Sequence, residues 1–265
     1  MIDPHLQLAI KAALDAGKAI MEVYNTEFDI EIKDDKSPLT LADKRANDII
    51  NSYLIKTEFP IISEENKQTD YQVRKKWKTC WVVDPVDGTK EFIKRNGEFT
   101  VNIALVVEGI PIIGVIYVPV IKVIYAADVI NKTAFKSNLK SHISSIDEVL
   151  ELAIPLKPKE SNTNSLELVG SRSHMNQETL NFIEILKKEG KQVEVVSKGS
   201  SLKFCLIAEG RADIYPRFAP TMEWDTAAGQ AICNAVGVKV ISQQTNKSLI
   251  YNKENLLNPW FIVST

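Results

Sequence analysis

Two acids stand three residues apart, directly after a short apolar run, in Trp81-Val82-Val83-Asp84-Pro85-Val86-Asp87-Gly88-Thr89. Pro85 holds its own φ and pushes Asp84 toward an extended backbone. Gly88 permits a tight turn or the close approach of backbone to a ligand. Such a turn points both carboxylates into one pocket at the end of a strand. Thr89 then opens a short helix, where the amides of Gly88 and Thr89 face an anion. Carboxylate oxygens suit hard divalent cations such as magnesium, which commonly bridge carboxylates to phosphate. The ordinary alternative for Asp-x-x-Asp-Gly is a turn in which Asp87 caps a helix.

Three more acidic positions stand where elements begin or end. Ile61-Ile62-Ser63-Glu64-Glu65-Asn66 is a short apolar run closed by paired acids, a pattern that alone describes solvated surface. In Glu223-Trp224-Asp225-Thr226-Ala227-Ala228-Gly229, Asp225 occupies the place of a helix N-cap, and the small residues behind it call for close packing of that helix. Asp43 completes a capping box with Thr40. Each acid has a local explanation, but four such positions on one chain add up to a multi-carboxylate site for two or three metal ions. The usual rivals fail on spacing. An EF-hand needs oxygen donors at alternate positions, an Asp-x-Asp nucleophile motif has one residue fewer between its acids, and neither GxxxxGK[ST] nor GxGxxG occurs.

The elements that must hold these residues follow from periodicity. Apolar positions at Leu6, Ala9, Ile10, Ala13, Ala16, Ile20 and Val23 predict a helix over 5–24, and a second helix starts at Thr40 and runs through Ile49, Ile50 and Leu54. Cys80 to Val83, Phe99 to Val107, Ile112 to Val118, Val123 to Val129 and Thr133 to Lys136 read as strands, the last four as an antiparallel meander. After about residue 145 the pattern alternates: strands at 166–170, 192–196 and 212–215, helices at 176–188, 201–208 and 225–236, the helices closed by Gly190, Gly210 and Gly237. A first half, 1–145, thus carries most of the acids. A second half, 146–265, forms an α/β layer.

Composition bounds the rest. The 265 residues are 45% apolar and 25% charged, which excludes a disordered or fibrous chain. The formal charge of −2 gives no footprint for duplex nucleic acid or anionic lipid, so an anionic substrate must be held locally. The three cysteines, Cys80, Cys205 and Cys233, form neither a disulfide framework nor a zinc ribbon. The apolar stretch from Val101 to Tyr125 is broken by Glu108, Gly109, Pro111, Pro119 and Lys122 and reads as strands, not a membrane span. With no basic n-region at its start, the chain is expected in the cytoplasm.

Ser37-Pro38-Leu39-Thr40-Leu41-Ala42-Asp43, Ser63-Glu64-Glu65, Asp84-Pro85-Val86-Asp87-Gly88-Thr89 and Trp224-Asp225-Thr226-Ala227-Ala228 stand in this order along the chain. In these motifs, and over essentially its whole length, the chain resembles the magnesium-dependent, lithium-sensitive inositol monophosphatase superfamily. The stretch from Asp87-Gly88-Thr89-Lys90 through Arg95-Asn96-Gly97-Glu98-Phe99-Thr100, Gly199-Ser200-Ser201-Leu202-Lys203-Phe204 and Tyr215-Pro216-Arg217-Phe218 look like its CysQ-type branch. That branch consists of 3′(2′),5′-bisphosphate nucleotidases linked to sulfate assimilation.

The resemblance implies a layered αβαβα sandwich of the sugar-phosphatase type, with an antiparallel meander sheet in the first half and a smaller mixed sheet in the second. It implies removal of the 3′-phosphate of adenosine 3′,5′-bisphosphate (PAP) to leave AMP, with the sulfated nucleotide PAPS as a further substrate. Glu64, Asp84 and the carbonyl of Val86 would hold one magnesium, and Asp84, Asp87 and Asp225 a second, with Glu64 helping at a third. Asp43 and Thr89, with Glu64, would act on the attacking water. Gly88 and Thr89 would bind the scissile phosphate, with Lys90 beside them. Ser171, His174, Ser200, Lys203 and Arg217 match the region where relatives hold the nucleotide and its 5′-phosphate. Relatives are cytoplasmic, some at the cytoplasmic face of the inner membrane, and members of this branch are often monomers. Two alternatives share the acids: an inositol monophosphatase, and a silent metal- and phosphate-binding protein. A Ser200, Lys203 and Arg217 set speaks for a substrate with a second phosphate.

Overall fold

A computed structural model describes residues 2–27, 30–32, 38–160, 164–170 and 175–265. Helix α1 (Pro4–Tyr24) begins where Asp3 accepts the amide hydrogens of His5 and Leu6 and Pro4 supplies a helical φ. A two-stranded ribbon of β1 (Ile30–Ile32) and β2 (Pro38–Thr40) leads into α2 (Leu41–Leu54). The capping box forms as expected: Asp43 Oδ2 accepts from Thr40 N at 2.8 Å and from Thr40 Oγ1 at 2.6 Å.

Next come β3 (Ile61–Ser63), α3 (Tyr71–Arg74), β4 (Thr79–Asp87), α4 (Thr89–Ile93), β5 (Thr100–Val107), β6 (Ile110–Val118), β7 (Val123–Asp128), β8 (Thr133–Asn138), α5 (Ile146–Glu151) and β9 (Ala153–Pro155). Strands β3 to β9 make one seven-stranded sheet in chain order, with only the β3–β4 pair parallel. Alternation splits its central strands between two cores. Cys80, Val82, Ala104, Val106, Ile116 and Val118 enter one, while Trp81, Val83, Ile103, Leu105, Val115 and Tyr117 enter the other with α1 and α2. Because both faces are buried, these strands read as unbroken apolar runs and not as apolar–polar alternation.

The rest of the chain is β10 (Ser165–Gly170), α6 (Gln177–Lys188), β11 (Gln192–Ser197), α7 (Leu202–Ala208), β12 (Ile214–Arg217), α8 (Ala227–Ala235), β13 (Lys239–Ser242) and β14 (Phe261–Ser264). The second sheet has the order β11-β10-β12-β14-β13, with β14 antiparallel to both neighbours. Helices α7 and α8 lie between the sheets, joining Phe204, Ile207, Ala228 and Ile232 to Tyr215, Val240, Phe261 and Val263 in one core. Helix α6 packs on β11 from outside, with Ile183 buried apart from that core. The layering is α-β-α-β-α, the sandwich that the resemblance implies.

Helix α8 is jammed against the large sheet. A Cβ at Gly114 of β6 would lie 2.5 Å from the carbonyl oxygen of Ala228 and 2.7 Å from Ala231 Cβ. Only a glycine facing small helix residues permits this approach, and it sets the height at which the segment before α8 arrives. Among the described residues no helix is long and apolar enough to cross a membrane.

Candidate active site

Residues three apart on a regular strand point to opposite faces. Asp84 and Asp87 escape this because β4 carries an extra residue. Asp84 pairs with Asn102 and Asp87 with Thr100, so four residues on β4 oppose three on β5. The bulge turns both carboxylates to one side, and Pro85, which has no amide hydrogen to donate, sits within it. At Gly88 the chain turns with φ +95°, and a Cβ there would meet Ser200 Oγ at 2.3 Å. Helix α4 then starts at Thr89.

The other acids are delivered by separate elements. Glu64 follows β3, and its amide bonds Val83 O at 3.2 Å. Its loop is pinned to α2, with Ser63 Oγ donating to Asn47 Oδ1 at 2.7 Å and Asn47 Nδ2 to Asn66 Oδ1 at 2.9 Å. Asp43 lies behind the pocket, where its Oδ1 accepts from Thr89 Oγ1 at 3.3 Å while Oδ2 caps α2. It therefore caps the helix as expected and also contacts Thr89. Asp225 is not the N-cap of α8. It closes a short 3₁₀ turn, Glu223–Asp225, by accepting Met222 N at 2.8 Å, and Thr226 precedes the helix.

One pocket is lined by Glu64, Asp84, Val86, Asp87, Gly88, Thr89, Lys90, Ser200, Lys203, Arg217 and Asp225. Among the described residues Asp84, Asp87 and Asp225 form a cluster whose carboxylate oxygens lie within 4.8 Å of one another. Ser171 and His174, expected near the nucleotide, lie outside the described residues. Ser200 lines the pocket, but its hydroxyl donates to Asp87 O at 2.8 Å and Glu98 O at 2.7 Å, fastening the loop before α7 to the acidic turn. Lys203 is not the solvated lysine that a helix start suggests: it is 5% exposed, bonds Ser200 O and stands over the ring of Tyr215. Arg217 gives Nη2 to Pro220 O at 3.0 Å, while its Nε is buried without a protein partner. Lys90 is exposed at the pocket's edge.

Sequence reasoning missed the groups that hold Asp87. Its Oδ2 accepts from Ser201 N at 2.6 Å, Asn102 Nδ2 at 3.3 Å and Thr100 Oγ1 at 3.4 Å. A signal for two of them exists: Thr100 and Asn102 are polar residues two apart at the head of an otherwise apolar strand, hence on one face. Tyr215, Thr221 and Thr226 also line the pocket; Tyr215 and Thr226 fall inside the stretches that carry the resemblance but gain no role from it, and Thr221 had no signal.

Crowding shows in the electrostatics. Burial pushes the Asp84 carboxyl well above the usual range, and repulsion from Glu64, Asp87, Asp225 and Asp43 adds to it. Burial likewise raises Asp87, with Lys203 and the bonds from Asn102 and Ser201 pulling back. Asp225 is pushed up to about 7 by burial and then by Asp87. Lys203 is brought down to about 8, mainly by burial, with Arg217 lowering and Asp87 raising it. An all-oxygen cluster of one buried and two half-buried acids repelling one another fits a hard divalent cation and suits neither zinc–thiolate nor haem chemistry.

A test follows from the sign of these shifts. Between about pH 4 and about 7 the native state keeps a proton on Asp225 that the unfolded chain has released. Stability without a divalent cation therefore falls as the pH rises through this window. One pKa unit corresponds to ~1.4 kcal/mol, and ~1 kcal/mol moves the midpoint of a chain this size by ~2–4 °C. The metal-stripped protein is expected to melt several degrees lower at pH 7.5 than at pH 5, and magnesium should raise the midpoint far more at pH 7.5. A midpoint that rises over this range in the stripped protein contradicts the clustering.

The inositol monophosphatase family model matches residues 1–260. The chain is 43% identical over 269 residues to the 3′(2′),5′-bisphosphate nucleotidase CysQ of Escherichia coli strain K12, covering 100% of this chain and 99% of that one. It is 42% identical over 264 residues to the protein of the same name from Salmonella typhimurium, covering 98% and 99%. The crystal structure of CysQ from Bacteroides thetaiotaomicron, a bacterial member of the same family, matches with a TM-score of 0.87 at 48% identity, covering 98% of this chain and 97% of that one.

Proposed function

We propose that this chain, which belongs to the inositol monophosphatase family, is a magnesium-dependent 3′(2′),5′-bisphosphate nucleotidase that removes the 3′-phosphate of PAP to give AMP and phosphate. PAPS is a further candidate substrate, and a role in sulfate assimilation, a cytoplasmic location and a monomeric state are carried over from the family resemblance. The full-length likeness to proteins of that name supports the reading. The observation that carries it within the pocket is the pair Lys203 and Arg217. The acids account for one phosphate through a cation, whereas a buried lysine and an arginine whose Nε has no protein partner call for a second anion.

In this reading Glu64, Asp84, Asp87, Asp225 and the carbonyl of Val86 hold two magnesium ions, with Glu64 also at a third. When bound, these supply charge neutralisation for the phosphoryl oxygens and a more acidic water. Thr89 Oγ1 lies 3.3 Å from both Asp43 Oδ1 and Val86 O; with the Val86 carbonyl turned to a cation, the Thr89 hydrogen would go to Asp43, leaving the hydroxyl's lone pairs to orient the attacking water and receive its proton. Glu64, beside them in the pocket, assists. The amides of Gly88 and Thr89 bind the scissile phosphate, a geometry that the positive φ of Gly88 allows, and Lys90 adds charge at the mouth. Arg217 and Lys203 take the 5′-phosphate. Binding at that remote group orients the reacting one.

Phosphate release from PAP, its 2′ isomer, inositol 1-phosphate and fructose 1,6-bisphosphate, with and without magnesium, tests the proposal. PAP should be turned over with kcat/KM at least ~100-fold above inositol 1-phosphate, the difference expected of ~3 kcal/mol from a charged second-phosphate contact. A chelator should abolish release. Preference for inositol 1-phosphate would move the protein to the inositol monophosphatase reading, and magnesium binding without turnover would make it a silent binder.

A further inference from the structure

Glu223 is fully buried, two residues before Asp225, and does not line the pocket. Both its oxygens are spent on one segment. Oε1 accepts from Lys253 N at 3.0 Å and Lys253 Nζ at 2.6 Å, and Oε2 from Asn252 N at 2.6 Å. The same segment bonds back to the turn. Glu223 N donates to Leu256 O at 3.0 Å, and Asn258 Nδ2 donates to Met222 O at 2.7 Å and Thr226 Oγ1 at 2.9 Å. Its other side is fastened to Arg74, itself 3% exposed and just upstream of β4. Arg74 Nη1 donates to Asn252 Oδ1 at 2.8 Å and Lys253 O at 3.1 Å, and Asn252 Nδ2 donates to Arg74 O at 2.8 Å. One loop, 252–258, therefore braces from behind both the turn that carries Asp225 and the base of the strand that carries Asp84 and Asp87.

We propose that Glu223 and Lys253 are a positioning pair for the cation site, setting the place of Asp225 relative to Asp84 and Asp87 without touching substrate or cation. The need for such a brace is physical. Three carboxylates with oxygens within 4.8 Å repel one another, and Asp225 rides on a single 3₁₀ turn that could relieve the repulsion by swinging out. A buried carboxylate answered by two amides and an ammonium is a rigid anchor, because breaking it leaves a charge unpaired in the interior. Mutating groups that hold a metal ligand in place typically costs ~10–100-fold in metal affinity.

The inference rests on Asp225 being a cation ligand, and the test separates the two. Mg²⁺ binding to the full chain, stripped with a chelator, is measured by titration calorimetry for Glu223→Gln, Lys253→Met, Lys253→Arg and Asp225→Asn. The expected result is Mg²⁺ binding ~10-fold weaker or more in Glu223→Gln and Lys253→Met, near-normal binding in Lys253→Arg, and a kcat that recovers in the first two as Mg²⁺ is raised, with KM for PAP unchanged. Wild-type Mg²⁺ affinity in both variants, even with an earlier melt, overturns the positioning role and leaves a purely structural ion pair. Should Glu223→Gln fail to fold, Lys253→Met decides, since it leaves Glu223 its two amide donors. If Asp225→Asn binds Mg²⁺ like the wild type, the ligand assignment and the inference fall together. If Asp225→Asn alone weakens binding, only the inference falls.

Discussion

Asp87→Asn is expected to lower phosphate release from PAP by about three orders of magnitude while leaving the protein folded. The exchange keeps the shape of the side chain and removes one charge. Asp87 Oδ2 is held by Ser201 N, Asn102 Nδ2 and Thr100 Oγ1, so the carboxylate's remaining capacity is turned toward Asp84 and Asp225. An asparagine that keeps its oxygen on Ser201 N presents hydrogens to the cluster, and one that flips leaves Ser201 N facing a donor. Either way a cation held as proposed would lose a ligand that offsets its charge. Lewis-acid stabilisation of a transferring phosphoryl group is worth several kcal/mol, and each ~1.4 kcal/mol is tenfold in rate. The same change relieves the repulsion that raises Asp84, so the metal-stripped variant should melt at or above the wild-type midpoint, a common opposition of activity and stability. Phosphate-release kinetics and a thermal melt check both halves. Activity within tenfold of wild type would remove Asp87 from the site.

Arg217→Ala is expected to cut kcat/KM for PAP by ~10–100-fold and to leave hydrolysis of 3′-AMP, which lacks the second phosphate, within about threefold. Hydrogen bonds to charged groups are worth ~1.5–3 kcal/mol, and Arg217 offers a planar fork of which, among the described residues, only Nη2 is engaged, by Pro220 O. Lys203 remains beside it, which keeps the loss partial. Without Arg217 the lysine also loses one of the influences that lower it, so it stays charged to higher pH in the variant. Steady-state kinetics on the two substrates give the answer as a ratio, which cancels any general damage to the cation site. Equal losses on both would deny Arg217 a place at the second phosphate and favour a substrate with one phosphate.

Features that depend on neighbours three or four residues away were legible. The Thr40–Asp43 capping box, the helix starting after Asn176 and the antiparallel meander that begins with the strand from Phe99 formed where the pattern placed them, whereas the strand read as stopping after Val83 runs on through a bulge to Asp87. Where reading failed, a distant partner was involved. Asp225 looked like an N-cap because its neighbours are cap-like, yet a turn braced by the 252–258 loop gives it a different job. The burial of Lys203 had no local signal, since a lysine near a helix start is usually solvated, and it is the sheet carrying Tyr215 that receives it. Strand β14 had no local signal for its place between β12 and β13, because a central position is conferred by its neighbours.

By itself the sequence determined which residues have the chemistry and which local elements end beside them: oxygen donors at Glu64, Asp84, Asp87 and Asp225, each next to a turn or helix start that its own neighbours specify. Only the tertiary structure decided that Asp225 meets Asp84 and Asp87, that Ser201 N caps Asp87, and that Glu223 is spent on Lys253. The reason is range. Dihedral preferences and caps act over one turn of chain, whereas the meeting of these carboxylates is set by how close α8 comes to Gly114 and by one extra residue in β4, and both are properties of packed layers.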